Sequence, residues 1–150
     1  VPMYHLGLIR GPFMQRHKNK TFATYLSIAF GSAGIQRFYL YGRRDLIGWL
    51  HVLSLPLSQL LYWQGSGMVR LLSLSPLLLS AMISMFEALA IGLCADENWD
   101  ARHNPRSEQR SNSKWLLALT LIATVAVGAT ALIAMIARGI DLYLTGGAYG

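Results

Sequence analysis

Residues 18–45 read KNKTFATYLSIAFGSAGIQRFYLYGRRD, and this stretch decides how the chain folds. Residues 21–36 carry no charge, but a helix needs about 20 mostly apolar residues to cross a bilayer. Lys20 precedes the run and Arg37 ends it. The run therefore either spans by continuing through Arg37 to about Tyr41, or it is a short helix that enters the membrane and returns on the same side.

Three longer apolar runs follow this stretch. Residues 46–69 and 115–137 carry no charge, and residues 71–95 carry only Glu87. Each run is long enough to span, and open strands are excluded in lipid because their edges would leave backbone groups unpaired. The sequence therefore predicts helices at about 21–41, 46–63, 70–94 and 115–138.

The composition of the 150-residue chain supports the same fold class. Hydrophobic residues make up 53% and charged residues only 13%, against about 25% in an average soluble domain. The net charge of +6 fits loops that face anionic lipids, so we expect a lipid bilayer with anionic lipids as the partner and no nucleic acid. The prediction is an all-α integral membrane protein, a small bundle of three full spans plus one short or re-entrant helix, or alternatively four spans.

The chain divides into five segments. Whether it starts at Val1 or at Met3 is left open. We interpret the segments as a basic cytoplasmic arm, a membrane domain, a polar linker without a core of its own, an additional span and a flexible tail, at residues 1–20, 21–95, 96–114, 115–138 and 139–150 respectively.

The distribution of Lys and Arg bears on the topology. Four lie in the arm, three in residues 37–44, one at Arg70, four in residues 96–114 and one in the tail. Four spans would place six on one side and seven on the other, whereas a re-entrant first run places eleven on one side and two on the other. The positive-inside rule favours the second arrangement, with a cytoplasmic N-terminus.

The order of small, basic and aromatic residues in 18–45 forms a motif. Two glycines precede an Arg-Phe-Tyr-Leu segment, and an acidic residue and an acidic-aromatic-Asn tail follow much later: Gly31, Gly34, Arg37, Phe38, Tyr39, Leu40, Gly42, Glu87, Asp96, Glu97, Trp99, Arg102 and Asn104. Over about residues 18–105 the chain resembles the TM-two domain, or NINE protein, family. Gln36 stands where that family commonly has His or Asp, and Tyr41 is an insertion before the glycine. The resemblance implies a fold rather than a reaction, and a multi-pass protein of a bacterial inner membrane.

Arg37 and Glu87 are the charges that are most costly to place in apolar runs. An ionisable group inside a membrane costs a few kcal/mol unless it is paired, hydrated or neutralised. We expect the two side chains to pair and to pin the re-entrant segment to the third helix. The alternative is that they serve transport.

Two helices carry polar stripes. His51, Ser54, Ser58 and Tyr62 fall within about 80° of one helix face. Ser73, Ser80, Ser84 and Glu87 fall within about 60° of one face of the next helix. Facing stripes predict interhelical hydrogen bonds, or alternatively a hydrated path for protons or small cations.

Other residues are candidates for packing and for lipid contact. Small side chains that allow close helix approach are Ser27, Gly31, Gly34, Ala126, Thr130 and Ala134. Basic side chains suited to lipid headgroups are Arg37, Arg43 and Arg44. The sequence has no metal-ligand spacing, phosphate loop or nucleophile motif, so we expect no catalytic residue, metal or cofactor.

The sequence thus predicts a non-enzymatic protein. The leading hypothesis is a small membrane accessory or assembly subunit that packs against a larger membrane complex or against its own copies. The alternatives are an oligomeric ion channel or transporter that uses Glu87, and a module that binds anionic lipids.

Overall fold

The fold is all-helical in the computed structural model, which describes residues 16–148. Most of the basic arm, residues 1–15, the choice of start residue and residues 149–150 of the tail lie outside the described residues. A 3-10 turn, Gly31–Ala33, separates the first two helices. The helices are α1 Lys20–Phe30, α2 Ile35–Tyr41, α3 Leu46–Gln64, α4 Met68–Leu71, α5 Ser75–Leu93, α6 Asp96–His103 and α7 Trp115–Thr145.

Three of these helices, α3, α5 and α7, are long and apolar enough to cross a membrane. Their large apolar side chains are exposed on several faces, as expected for helices that meet lipid. The helix predicted over about 115–138 continues to Thr145, so the predicted flexible tail is helical at its start. Arg138 and Asp141 pair at 2.6 Å one turn apart on that helix, and the helix ends at Gly146 in the left-handed conformation.

The segment predicted as one helix over about 21–41 is instead a helical hairpin, residues 20–41. After α1 ends at Phe30, the chain turns back into α2 at Gly34, which has a φ of +70°, a conformation that other residues rarely adopt. The two arms meet at their open ends, because the backbone N–H of Asn19 donates to the Tyr39 hydroxyl at 2.9 Å and the Phe22 and Tyr39 rings pack at 5.3 Å. The eleven residues of α1 extend about 16 Å, well short of the bilayer core.

The central helix is α5, which packs against the hairpin, α3 and α7. Small residues allow the close approach: a Cβ on Gly31 would clash with Ser84, and one on Gly92 would lie 2.5 Å from Leu121. The buried residues of α7 all lie in its first half, namely Leu117, Leu121, Thr124 and Gly128.

The segment interpreted as a polar linker shares a hydrophobic cluster with the hairpin. Residues 94–114, together with residues 16–19, form a folded unit that we call the polar cap. Trp99 is 2% exposed and joins Ala23 and Leu40 in a hydrophobic cluster, and its Nε1 donates to the Lys18 carbonyl at 2.9 Å. The serine and asparagine side chains that make this segment polar also form its internal hydrogen bonds. Composition alone therefore does not distinguish the folded unit from a linker.

Candidate functional site

Arg37 lies at the centre of a charge cluster that joins α2, α3 and α5. Its Nη1 donates to Glu87 Oε1 at 2.5 Å, so the structure brings the two expected partners into contact. Its Nε donates to Asp45 Oδ2 at 2.6 Å, and its guanidinium lies 5.0 Å from the centre of the Tyr41 ring. One cation thus contacts two carboxylates and an aromatic face, an arrangement to which the planar guanidinium is suited.

Asp45 has two structural roles in this cluster. Besides binding Arg37, it caps the N-terminus of α3, because its carboxylate accepts from the Gly48 N–H at 2.7 Å. The hydrogen bonds from Arg37 lower the pKa of Asp45 below its usual range, although burial opposes the shift. Sequence reasoning missed this residue, but an aspartate directly before an apolar run is a typical helix-start signal.

Gln36 completes the cluster from the same helix as Arg37. It is fully buried, and its Nε2 donates to Glu87 Oε2 at 2.7 Å. Both oxygens of Glu87 therefore have donors from α2, one charged and one neutral. Gln36, which differs from the residue expected from the TM-two resemblance, thus contacts the Glu87 carboxylate.

The polar stripes face each other, and the tip of the hairpin lies between them. The Ser80 hydroxyl donates to the Ser32 carbonyl at 2.9 Å, so the His51 ring nitrogen Nδ1, 2.6 Å from Ser80 Oγ, is the donor in that contact. Ser54 Oγ donates to the His51 carbonyl at 2.7 Å and lies 3.5 Å from the Ser32 carbonyl. Side chains of the two stripes thus serve as hydrogen-bond partners for the Ser32 carbonyl in the turn.

The remaining stripe residues divide into two groups. Ser58 Oγ accepts from the Leu77 N–H at 3.2 Å, which satisfies a free donor in the first turn of α5. Ser73 is buried, and Ser84 Oγ donates to the Ala81 carbonyl of its own helix. Tyr62 differs, because it is half-exposed and lies 5.4 Å from Arg70, away from the facing stripes.

The candidate packing residues also divide. Ser27, Gly31 and Gly34 are buried within the chain, so the hairpin uses its small face for its own packing. Ala126, Thr130 and Ala134 are exposed on α7.

The candidate lipid-contact arginines are not equivalent. Arg37 is engaged by its two carboxylates. Arg43 and Arg44 are exposed, and neither makes an ion pair within residues 16–148.

Two aspartates hold the polar cap together in the same way. Asp96 accepts from the N–H and the hydroxyl of Ser113, and Asp100 accepts from both groups of Ser111, at 2.6–2.7 Å. Asp96 also pairs with Lys20 at 2.5 Å, which ties the cap to the hairpin. Burial would raise the pKa of Asp100, but its hydrogen bonds from Asn104 and Ser111 outweigh burial and lower it to about 2.

A cleft of about 170 Å³ opens where the polar cap meets the hairpin and the end of α5. Arg37, Tyr41, Glu87, Arg102 and His103 contribute its polar side chains. His103 stacks on Trp99 at 4.0 Å and is 9% exposed, and burial lowers the pKa of its imidazole. No sequence pattern predicts this cleft, because residues 37–41 lie far along the chain from the other lining residues, at 87–103.

Within the described part of the chain, no group of three or more His, Cys, Asp or Glu side chains could hold a metal ion. Comparisons with protein-family models, with curated proteins and with solved structures find no match to this chain. The resemblance to the TM-two domain stays a prediction.

Proposed function

We propose that the chain is a three-span protein of a bacterial inner membrane, in which the hairpin is re-entrant and the polar cap is cytoplasmic. The geometry of the hairpin supports this arrangement, because both its open ends lie beside the polar cap. Eleven of the thirteen Lys and Arg residues are then cytoplasmic, as the positive-inside rule favours. The polar cap and the loop that holds Arg43 and Arg44 face anionic headgroups.

The hydrogen bonding at the hairpin tip is what such a re-entrant turn requires. Irregular backbone is tolerated at membrane depth only where protein or water satisfies its polar groups. Ser80 and Ser54 lie well inside the candidate spans α5 and α3, and Ser80 donates to the tip carbonyl of Ser32. We interpret the polar stripes as the side chains that hold this turn in place by hydrogen bonds. This structural role explains why the stripes are polar without requiring a path for protons or cations.

The contacts of Glu87 favour the structural hypothesis over transport. A proton carrier needs a carboxylate that exchanges with water, but both Glu87 oxygens accept from side chains of α2. The same geometry uses residues that carry the TM-two resemblance, since Gly34 lies at the turn and Arg37 pairs with Glu87.

On this fold, the function that we propose is a non-enzymatic accessory or assembly subunit. The observation that carries it is the exposed face of α7. Ala126, Thr130 and Ala134 lie about 150° around the helix from the residues that pack on α5. Three small side chains at four-residue spacing allow two helices to approach closely in lipid, where apolar burial alone gives no driving force.

The occupant that we favour is α7 of a second copy, because a repeat of small residues at this spacing is self-complementary. A helix of a larger membrane complex is the alternative. Either occupant makes the chain an assembly subunit, and the two differ in what is recovered with it.

Cysteine crosslinking in native membranes tests the proposal. In a Cys94→Ser background, Thr130→Cys should give a crosslinked dimer. Ala129→Cys, which is also exposed and lies about 100° around the helix, should not. A stoichiometric crosslink from residue 130 to a different protein would assign the face to a larger complex. A chain that stays uncrosslinked and monomeric in mild detergent would contradict the assembly function.

A further inference from the structure

An open groove lies between α5 and the first half of α7. Small residues line it where the two helices meet, Gly92 on α5 and Ala118 on α7. It is also lined by large side chains that are 65–74% exposed, namely Leu93, Ile122 and Trp115. Small residues beside large ones leave a groove with a volume of about 740 Å³.

The lining of this groove is charged at one end and apolar along the rest. Lys114 is the single charged residue that lines it, and it lies with Ser113 at the end nearest the polar cap. Within residues 16–148 Lys114 makes no ion pair, since Asp96, which binds Ser113, pairs with Lys20 instead. All lining residues of α7 from position 115 to position 126 are apolar. The groove therefore complements an amphiphile that has an anionic head and an apolar body.

The dimensions of the groove suit lipid chains and not a helix. From Lys114 to Ala126, α7 rises about 18 Å, which is close to the depth of one leaflet in a bilayer core about 30 Å thick. The volume divided by that length gives a mean cross-section of about 40 Å². An α-helix with its side chains is about 10–12 Å across and needs about twice that area. The groove is thus too narrow to enclose a helix, but the hydrocarbon chains of a lipid can lie along it.

The position of the groove in the proposed topology indicates which leaflet supplies the lipid. Lys114 directly follows the cytoplasmic polar cap, so it lies with Trp115 at the level of the cytoplasmic headgroups. Tryptophan favours this level, and lysine there attracts the anionic lipids of the cytoplasmic leaflet. Thr130 of the proposed assembly face lies about 120° around α7 from Ala118, so a lipid in the groove leaves most of that face free.

We propose that this groove binds one anionic phospholipid of the cytoplasmic leaflet, with its acyl chains along α5 and α7 and its phosphate at Lys114. The site goes beyond the proposed assembly function and rests only on the membrane location. It uses none of the arginines from which the sequence predicts headgroup contacts.

Native mass spectrometry of the full chain in mild detergent tests the site. The probes are phosphatidylglycerol and phosphatidylcholine with the same acyl chains. We expect Ala118→Phe to weaken the binding of both lipids at least tenfold, because the new ring fills the groove. Lys114→Gln should reduce the preference for phosphatidylglycerol over phosphatidylcholine about fivefold, the effect of one lysine beside anionic headgroups.

Two control variants match these substitutions. Leu116→Phe places a ring at an exposed position of α7 about 160° around the helix from Ala118, outside the groove. Arg110→Gln removes a positive charge from an exposed position that does not line the groove. We expect each control to change affinity less than twofold. Equal losses from Ala118→Phe and Leu116→Phe would overturn the site, and equal losses from Lys114→Gln and Arg110→Gln would overturn the role of Lys114.

A second measurement needs no substitution in the groove. Phosphatidylglycerol with a photoreactive diazirine in its acyl chain should label residues 89–93 and 115–126 in native membranes, and labelling spread evenly over α3 and α7 would overturn the site. In a Cys94→Ser background, a crosslinked dimer through Ala118→Cys would assign the groove to a second copy and would also overturn it. Absence of the Thr130→Cys crosslink would reject the assembly function and leave the lipid site intact.

Discussion

The Arg37 guanidinium and the Glu87 carboxylate are 50 positions apart in sequence and 2.5 Å apart in space. The pair joins the returning arm of the hairpin to the central helix, and Gln36 and Asp45 complete its coordination. Side chains of Arg37 and Glu87 are 16% and 20% exposed, so the pair is largely shielded from solvent.

Removing one member of this pair should destabilise the fold, because Arg37→Gln leaves Glu87 and Asp45 without their cation and Glu87→Gln leaves Arg37 with Asp45 as its one carboxylate. We expect Arg37→Gln and Glu87→Gln each to lower the free energy of unfolding in detergent by about 2–4 kcal/mol. The double variant should lose less than the sum, with a coupling of about 1–3 kcal/mol. Arg44→Gln, an exposed arginine nearby, should stay within about 0.5 kcal/mol. Strict additivity of the two substitutions would contradict the pairing.

The hairpin turn should depend on Gly34 for two reasons, its conformation and its close contact. Gly34→Ala should be strongly destabilising, because φ is +70° and the new Cβ would lie 2.6 Å from the Gly48 carbonyl oxygen. Gly146→Ala isolates the backbone effect, since Gly146 has nearly the same conformation, φ +69° and ψ 15°, and its Cβ would meet nothing within 4 Å. We expect a loss of about 1–2 kcal/mol at Gly146 and at least twice that at Gly34. Gly139→Ala, in open helix, should be neutral or stabilising. Melting temperatures in detergent would rank the three, and equal losses at Gly34 and Gly146 would argue against the close contact.

Ser80 of α5, which hydrogen-bonds to the hairpin tip, should matter more for stability than Ser84 one turn away. Ser80→Ala removes the donor to the Ser32 carbonyl and the acceptor of His51, so we expect a loss of about 1–3 kcal/mol. Ser84→Ala removes only a bond to a carbonyl of its own helix and should cost less. Hydrogen exchange of the backbone amides in residues 31–35 should speed up in the first variant only. Equal exchange in both variants would mean that the stripes do not hold the turn.

The polar cap should loosen in acid. The pKa of Asp100 is about 2 in the folded chain and 3.8 ordinarily, so its stabilisation is complete above about pH 4 and is lost as the pH falls toward 2. The loss amounts to about 2 kcal/mol. Hydrogen exchange of residues 107–113, measured between pH 5 and pH 2 and corrected for intrinsic rates, should report it. Asp100→Asn should flatten much of this dependence, leaving the smaller part due to Asp96. An unchanged profile in that variant would contradict the role of Asp100.

The sequence predicted the candidate spans and the Arg37–Glu87 contact because their signals are local. Charge-free runs identify the spans, and two isolated charges in apolar runs have few partners to choose from. The helix break within 21–41 was not predicted, because Gly31 and Gly34 were interpreted as small residues that allow close packing. Whether the chain turns at these glycines depends on contacts with Ser80 and Ser84, which lie on α5 about 50 positions later in the sequence.

The polar cap and its cleft could not be predicted for a related reason. In the sequence, Asp96 and Asp100 resemble ordinary solvated surface charges. In the structure, Ser113 and Ser111 donate hydrogen bonds to them. Trp99 and His103 lie one turn apart on α6, but the sequence does not show that Tyr41 packs beside His103. The stripe of small residues on α7 is visible in the sequence, but only the structure shows that it lies on a different face of α7 from the residues that pack against α5.

The central claim is that the hairpin returns to the side on which it starts. The most direct test uses single cysteines at positions 43, 66 and 110 in a Cys94→Ser background, labelled with a membrane-impermeant maleimide in spheroplasts and in inverted vesicles. All three positions are exposed. We expect Arg43→Cys and Arg110→Cys to react only in inverted vesicles and Ser66→Cys only in spheroplasts. Reaction of Arg43→Cys and Arg110→Cys from opposite sides would make residues 20–41 a full span and would contradict the account.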